Sequence, residues 1–237
     1  MTSRTAWRWC AAAGLVAFIC SWAFGRIPGL VACGPTGGLG PILAFEFVRS
    51  PADVAALFGS EPCTATLVAA QKSGLLLDGL GFIPSYTAFL ILGAIAAGGQ
   101  GRTRIAVIAA LIVAGVSDQI EGGLLYAILR DLPGTRALIG PLWWAVHVKF
   151  ALLALGTMGI SEGIVRGRPV RRLFAAFIGP GSFFALVGLI SAQAGWMMIG
   201  FTIAWVALLL AALTASFAPS LFVARAAPPP DPATPSA

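Results

Sequence analysis

Residues 75–98 read LLLDGLGFIPSYTAFLILGAIAAG, and the charged side chain among them is Asp78. A transmembrane helix needs about 20 mostly apolar residues, and this stretch meets that requirement. Five further stretches have the same character: 9–24, 105–129, 141–160, 173–194 and 196–218. The sequence therefore predicts an all-α fold, a polytopic membrane helix bundle with six transmembrane helices and one extracytoplasmic helical loop.

The composition of the whole chain agrees with this fold class. Of the 237 residues, 58% are hydrophobic and 10% are charged, whereas a soluble domain carries about 25% charged residues. A soluble globule of this size could not cover so much apolar surface. The same numbers exclude a disordered chain, a disulfide scaffold and a nucleic-acid-binding domain. The expected surroundings are a lipid bilayer, and neither a cofactor nor a nucleic-acid partner is expected.

The positions of the basic residues predict the orientation in the membrane. They concentrate in the N-terminal segment and in the short loops on one side of the predicted spans, which is the positive-inside pattern of cytoplasmic segments. We therefore expect a multi-pass membrane protein with both termini in the cytoplasm. The basic residues on that side are Arg4, Arg8, Arg102, Arg104, Arg166, Arg168, Arg171, Arg172 and Arg225.

The chain divides into one membrane domain and a tail. Residues 1–222 form the predicted transmembrane domain, and the Pro/Ala-rich stretch 223–237 is predicted to be a disordered cytoplasmic tail. Residues 25–73 form a long outward loop. Within it, Ser50 is a candidate N-cap, Pro51 suits the first helical position, and a short helix is expected to end at Gly59.

Two of the four cysteines, Cys33 and Cys63, lie in this outward loop. They can form a disulfide if the loop faces an oxidising compartment. The alternative is a pair of reduced cysteines at the lipid surface. On the chain-entropy account, a bridge over this length would stabilise the fold by about 3 kcal/mol.

Several polar residues fall inside the predicted spans. An ionisable side chain at the centre of a membrane helix costs about 2.5–3.5 kcal/mol, so such residues are a default indication of a site. From the helical rise of about 1.5 Å per residue, those on the second, third and fourth spans lie at similar depths, in the outer half of the membrane. These candidate ligand-binding or ion-binding residues are Asp78, Tyr86, Asp118, Gln119, Glu121, His147 and Lys149.

Two interpretations of this polar set remain open. In the first, Lys149 neutralises one carboxylate and the set holds three helices in register. In the second, Asp78, Asp118 and Glu121 outnumber the single lysine, so that the site binds protons or a cation. A metal site is not expected, because one histidine with no metal-ligand spacing gives little support for it.

The function that these observations favour is an integral membrane protein with an outward-facing intramembrane polar pocket. The pocket would bind or transport a small ligand, an ion or a proton, with a small cation, a proton or a lipid as the candidate ligand. One alternative is an intramembrane enzyme that acts on lipid-linked substrates with Asp118 or Glu121 as general acid/base, although an enzyme is less favoured. Another is a non-catalytic accessory or assembly subunit, in a homo- or hetero-oligomer formed through small-residue ridges such as Gly156, Gly159 and Gly163.

Four runs of the sequence carry a resemblance: ILAFEFVRSPADVAALFG (42–59), LLLDGLGFIPSYTAFL (75–90), GVSDQIEGGLL (115–125) and HVKFALLALG (147–156). They resemble a group of uncharacterised bacterial multi-pass membrane proteins, which implies a location in a bacterial inner (plasma) membrane. In that group an Asp followed by an aromatic-Ile-Pro-x-Tyr run opens one helix, and an Asp-x-x-Glu-Asn element lies in the next. Here Gly122 stands in place of the Asn. The resemblance implies a site but no activity, and the positions it marks are Asp78, Tyr86, Asp118, Glu121 and Lys149.

Overall fold

The computed structural model describes residues 3–99, 101–166 and 169–222, and this part of the chain is helical without β-strands. The predicted tail, 223–237, lies outside the described residues. The helices are α1 (Ser3–Phe24), α2 (Pro41–Glu46), α3 (Pro51–Phe58), α4 (Cys63–Leu77), α5 (Ile83–Ala97), α6 (Gly101–Arg130), α7 (Arg136–Val165), α8 (Pro169–Ile190), α9 (Ala194–Phe217) and α10 (Pro219–Phe222), and a π-helical segment (Asp78–Phe82) joins α4 to α5.

Six helical units in the described residues are long and apolar enough to cross a membrane. They are α1, the continuous unit Cys63–Ala97, α6, α7, α8 and α9. This confirms the predicted all-α polytopic bundle, and the chain is a multi-pass integral membrane protein. The second span begins earlier than predicted and is 35 residues long, because the helical pattern of residues 64–74 runs into the apolar stretch without a break.

The spans pack as neighbours in a defined order. The α6 helix packs against α7, α7 against α8, and α8 against α9, while α1 lies against α5 and α9. The last two spans form a tight hairpin, because α8 ends at Ile190 and α9 begins at Ala194. Their backbones approach so closely that a Cβ atom on Gly200 would lie 2.4 Å from the backbone nitrogen of Ala185. Glycine is therefore required at this crossing.

The small-residue ridge on α7 is filled within the chain. A Cβ atom on Gly159 would lie 2.3 Å from Val107 of α6, and one on Gly156 would lie 2.6 Å from Leu111 of the same helix. The ridge thus brings α6 close to α7. The two acidic residues of α6 are thereby held near the lysine of α7.

The part of the predicted outward loop that precedes α4, residues 25–62, contains two short helices. The α3 helix begins as predicted, since the Ser50 side chain accepts a hydrogen bond of 3.2 Å from the backbone N–H of Asp53. It ends at Gly59, whose φ of 61° favours glycine. The α2 helix was not predicted. It packs against α6 and α7, and Phe45 at its end is fully buried against Phe58 of α3.

Two contacts tie this loop to α4. Cys33 and Cys63 form a disulfide with Cα atoms 5.9 Å apart, and the closed loop contains both α2 and α3. Gln71 of α4 is buried and donates a hydrogen bond of 2.9 Å to the carbonyl oxygen of Pro41, the first residue of α2. The position of α2 above the bundle is therefore fixed at its beginning by α4 and at its end by the packing of Phe45.

Candidate functional site

A buried lysine surrounded by carboxylates lies between the spans and α2. The Nζ atom of Lys149 is 3.0 Å from Glu46 Oε2, 3.0 Å from Asp118 Oδ1 and 2.7 Å from Glu121 Oε2. Each of the four side chains is at most 10% exposed. We call Glu46, Asp118, Glu121 and Lys149 the ion-pair cluster. It joins α2, α6 and α7 at one point.

A tyrosine extends this cluster to a fourth helix. The hydroxyl group of Tyr86, on α5, donates a hydrogen bond of 2.6 Å to Asp118 Oδ2. Since Asp118 Oδ1 accepts from Lys149, both oxygens of this carboxylate are engaged. Asp118 and Glu121 can both face α7 because residues three apart project from the same side of a helix.

The ammonium group of Lys149 has no hydrogen-bond donor left for a ligand. It donates to Glu46, Asp118 and Glu121, and an ammonium group has three N–H bonds. It also lies 4.4 Å from the ring centroid of Phe150, which adds a cation–π contact. An anionic ligand would therefore find the positive charge already neutralised and enclosed.

Sequence reasoning missed Glu46. It is the last residue of α2 and is 8% exposed, although it belongs to a loop that was expected to lie outside the bilayer. The next residue, Phe47, stacks on Phe150 of α7 with ring centroids 5.8 Å apart and so holds the end of α2 against that helix. The one available signal was a lone acid in the apolar run ILAFEFV, since an acid there needs a buried partner.

A cavity of about 220 Å³ adjoins the ion-pair cluster. Its polar wall includes Glu46, Asp118 and Lys149 of the cluster and also Asp78, whose carboxylate makes no hydrogen bond or ion pair with a described residue. Glu121 does not line it. Aromatic rings form much of the remaining wall, and Trp205 lies 5.4 Å from Tyr86 between ring centroids. The aromatic residues of the wall are Phe18, Phe82, Tyr86, Phe150, Phe201 and Trp205.

The π-helical segment places Asp78 at this cavity. The backbone N–H of Ile83 donates to the carbonyl oxygen of Asp78, five residues earlier, where an α-helix would use Gly79. The freed carbonyl of Gly79 instead accepts a hydrogen bond of 2.8 Å from the Gln119 side chain. Gln119 is exposed and does not line the cavity. The structure thus gives Gln119 a positioning role in the π-helical segment, away from the cluster.

His147 lies apart from the ion-pair cluster. Its Nδ1 atom is 2.7 Å from the carbonyl oxygen of Trp143, and its ring stacks on that indole with centroids 3.9 Å apart. His147 precedes Lys149 by two residues, which is a rotation of about 200° around the helix. The two side chains therefore project from different sides of α7.

The described residues contain no grouping of His, Cys, Asp and Glu that could hold a metal ion. In comparisons with known proteins, no family model, no curated protein and no solved structure matches the chain. What the cavity binds is therefore inferred from its geometry and its charges.

Proposed function

We propose that this protein binds a small organic cation of the ammonium class in the cavity beside the ion-pair cluster. The observation that carries the proposal is Asp78, a carboxylate without a partner among the described residues, in a cavity that six aromatic side chains also line. The cation would place its charge against Asp78 and its alkyl groups against the rings.

The charge balance supports a cation. Glu46, Asp78, Asp118 and Glu121 are four carboxylates, and Lys149 supplies the one ammonium group among them. Uncompensated charges are costly in a low-dielectric site, so the excess must be neutralised by protons or by a bound cation. A ligand that brings its own positive charge would supply part of this compensation.

The aromatic wall favours an organic cation over a metal ion. Hard metal cations require several oxygen ligands, whereas Phe82, Phe201 and Trp205 line this cavity with aromatic rings. A quaternary ammonium group is attracted to such rings by about 0.5–2 kcal/mol each. The volume of about 220 Å³ is below the range of roughly 300–1,000 Å³ typical of pockets for drug-sized ligands. The expected ligand is therefore of the size of choline.

The packing beyond the cavity supports a pocket that is closed at one end. Towards the opposite end of the bundle, a Cβ atom on Gly14 would lie 2.8 Å from the ring of Phe89, and one on Gly93 would lie 3.3 Å from Leu208. We infer that the ligand enters from the side of α2, the predicted outer side. The intramembrane-enzyme alternative is less well supported, because Glu121 is enclosed and both oxygens of Asp118 are engaged.

The proposal is tested by equilibrium binding to the purified protein in detergent. The probes are radiolabelled choline and 3,3-dimethyl-1-butanol, its uncharged analogue of nearly the same shape. Choline should bind, and the neutral analogue should bind at least about tenfold more weakly, since charged contacts are worth about 1.5–3 kcal/mol. The variant Asp78→Asn should lose choline binding to the same degree. Asp131→Asn, at an exposed turn outside the cavity, is the matched control.

The proton competition gives a second readout. Protonated Asp78 carries no charge, so choline affinity should fall as the pH is lowered, by at most about tenfold per pH unit. In Asp78→Asn this pH dependence should be lost. Equal binding of choline and its neutral analogue would contradict the proposal, as would wild-type affinity in Asp78→Asn.

A further inference from the structure

A second recess, of the opposite charge, runs along α7 on the outer surface of the bundle. Its upper part has a volume of about 440 Å³ and its lower part about 630 Å³, and Arg49, Trp143 and Trp144 line both. Among the described residues, no carboxylate lines either part. We call this continuous recess the α7 groove, and it is separate from the cavity beside the ion-pair cluster.

The upper part of the α7 groove presents two arginines. Arg49 and Arg136 both line it together with Ser50, and neither guanidinium group forms an ion pair with a described residue. The carboxylate of Asp53 contacts the backbone at Arg49, since its Oδ2 accepts a hydrogen bond of 2.9 Å from the backbone N–H of Arg49. This contact orients the chain at Arg49 and leaves the guanidinium group exposed. Two such groups match the oxygens of a phosphate, which arginine binds in a bidentate manner.

The lower part of the α7 groove lies between two spans and is mainly apolar, although Arg49 and His147 also line it. Val148 and Ala151 of α7 face Leu186 and Ile190 of α8 across it, and Ile190 is 78% exposed. Tryptophan residues concentrate at the boundary between the headgroups and the hydrocarbon. The pair Trp143 and Trp144 lies along α7 between Arg136 and the apolar part of the groove. The groove therefore changes from polar to apolar, as a phospholipid does between its headgroup and its acyl chains.

We propose that the α7 groove binds one anionic phospholipid, with its phosphate between Arg49 and Arg136 and one acyl chain along the apolar part between α7 and α8. A phospholipid is the occupant because one end of the groove is basic and the other is apolar, and two tryptophans mark the boundary between headgroups and hydrocarbon. A free phosphate ion would use the arginines but not the lower part.

The test measures lipid binding to the delipidated full-length protein by native mass spectrometry. Separate samples contain phosphatidylglycerol, phosphatidylcholine, the free headgroup glycerophosphoglycerol, or inorganic phosphate. Phosphatidylglycerol should bind more tightly than the other three. The double variant Arg49→Gln/Arg136→Gln should bind it at least about tenfold more weakly, as expected for the loss of a charge-assisted contact. Arg130→Gln, an exposed arginine outside the groove, is the control and should bind as the wild type does.

A lysine variant keeps the test decisive if the glutamine variant does not fold. Arg49→Lys/Arg136→Lys retains both charges but loses the bidentate geometry, so it should have intermediate affinity. The proposal is overturned if the glutamine or the lysine double variant binds phosphatidylglycerol as tightly as the wild type. It is also overturned if Arg130→Gln loses as much affinity as the glutamine variant, or if inorganic phosphate binds as tightly as the lipid.

Discussion

Replacement of Lys149 by methionine should strongly destabilise the protein. Methionine fills a similar volume but supplies no charge, so Glu46, Asp118 and Glu121 lose their common partner at 2.7–3.0 Å. Breaking a buried ion pair typically costs about 3–5 kcal/mol. We expect the upper end of that range, because three carboxylates are affected and none exceeds 10% exposure. For a chain of this length, the corresponding fall in melting temperature is about 10 °C or more.

The two free cysteines provide the assay. Cys10 and Cys20 are buried in α1, so a thiol-reactive fluorescent dye added during a thermal ramp reports when the membrane core opens. The variant Lys72→Met is the matched control, because Lys72 is exposed on α4 and forms no ion pair among the described residues. Its melting curve should coincide with that of the wild type.

Compensating variants then test whether Lys149 pairs with Asp118 alone or with all three carboxylates. If Lys149 paired with Asp118 alone, Lys149→Met/Asp118→Leu would restore most of the lost stability. The observed cluster predicts only partial recovery, since Glu46 and Glu121 stay without a counter-charge. The cluster geometry would be refuted if Lys149→Met melted like Lys72→Met. Full recovery in the double variant would refute the participation of Glu46 and Glu121.

Three further predictions concern the membrane topology, the packing and the outward loop. Alkaline phosphatase fused after Ala237 should be inactive if the C-terminus is cytoplasmic. Phosphatase activity would contradict the predicted orientation. Gly200→Ala should lower the melting temperature by several degrees, because the added Cβ atom meets backbone at 2.4 Å, whereas Gly195→Ala, with no heavy atom within 4 Å, should not. Thiol labelling of the denatured, unreduced protein should modify two cysteines and spare Cys33 and Cys63, which should react only after reduction; four labelled thiols without reductant would contradict the bridge.

The sequence was sufficient to predict the spans because lipid leaves an apolar stretch of about 20 residues with essentially one structure. It was also sufficient to place Tyr86, Asp118 and Lys149 at comparable depths, since depth depends only on the rise per residue. The structure brings these three side chains into direct contact. What depth does not determine is the direction in which a side chain projects. For that reason Gln119 and His147, which lie next to cluster residues in sequence, project elsewhere.

Glu46 could not be predicted for a different reason. It contacts Lys149 across a sequence separation of 103 residues, and that contact depends on how the outward loop folds over the bundle. The loop's position follows from the disulfide, the Gln71 hydrogen bond and the stacking of Phe47 on Phe150. Each of these is a long-range contact without periodicity in the sequence. The hydrophobic pattern predicts individual helices but does not predict which of them pack against each other.

The presence of Glu46 in the ion-pair cluster changes how the polar residues of the spans are interpreted. All three N–H groups of Lys149 donate to carboxylates within the fold. The ion-pair cluster therefore acts mainly to hold α2, α6 and α7 together. Asp78 is then the carboxylate left over, and it is held at the cavity by a π-helical segment that Gln119 stabilises. We therefore propose that the structural interpretation applies to the cluster and the ligand-binding interpretation to Asp78. A substitution in the cluster should act chiefly on stability, whereas a substitution of Asp78 should act chiefly on binding.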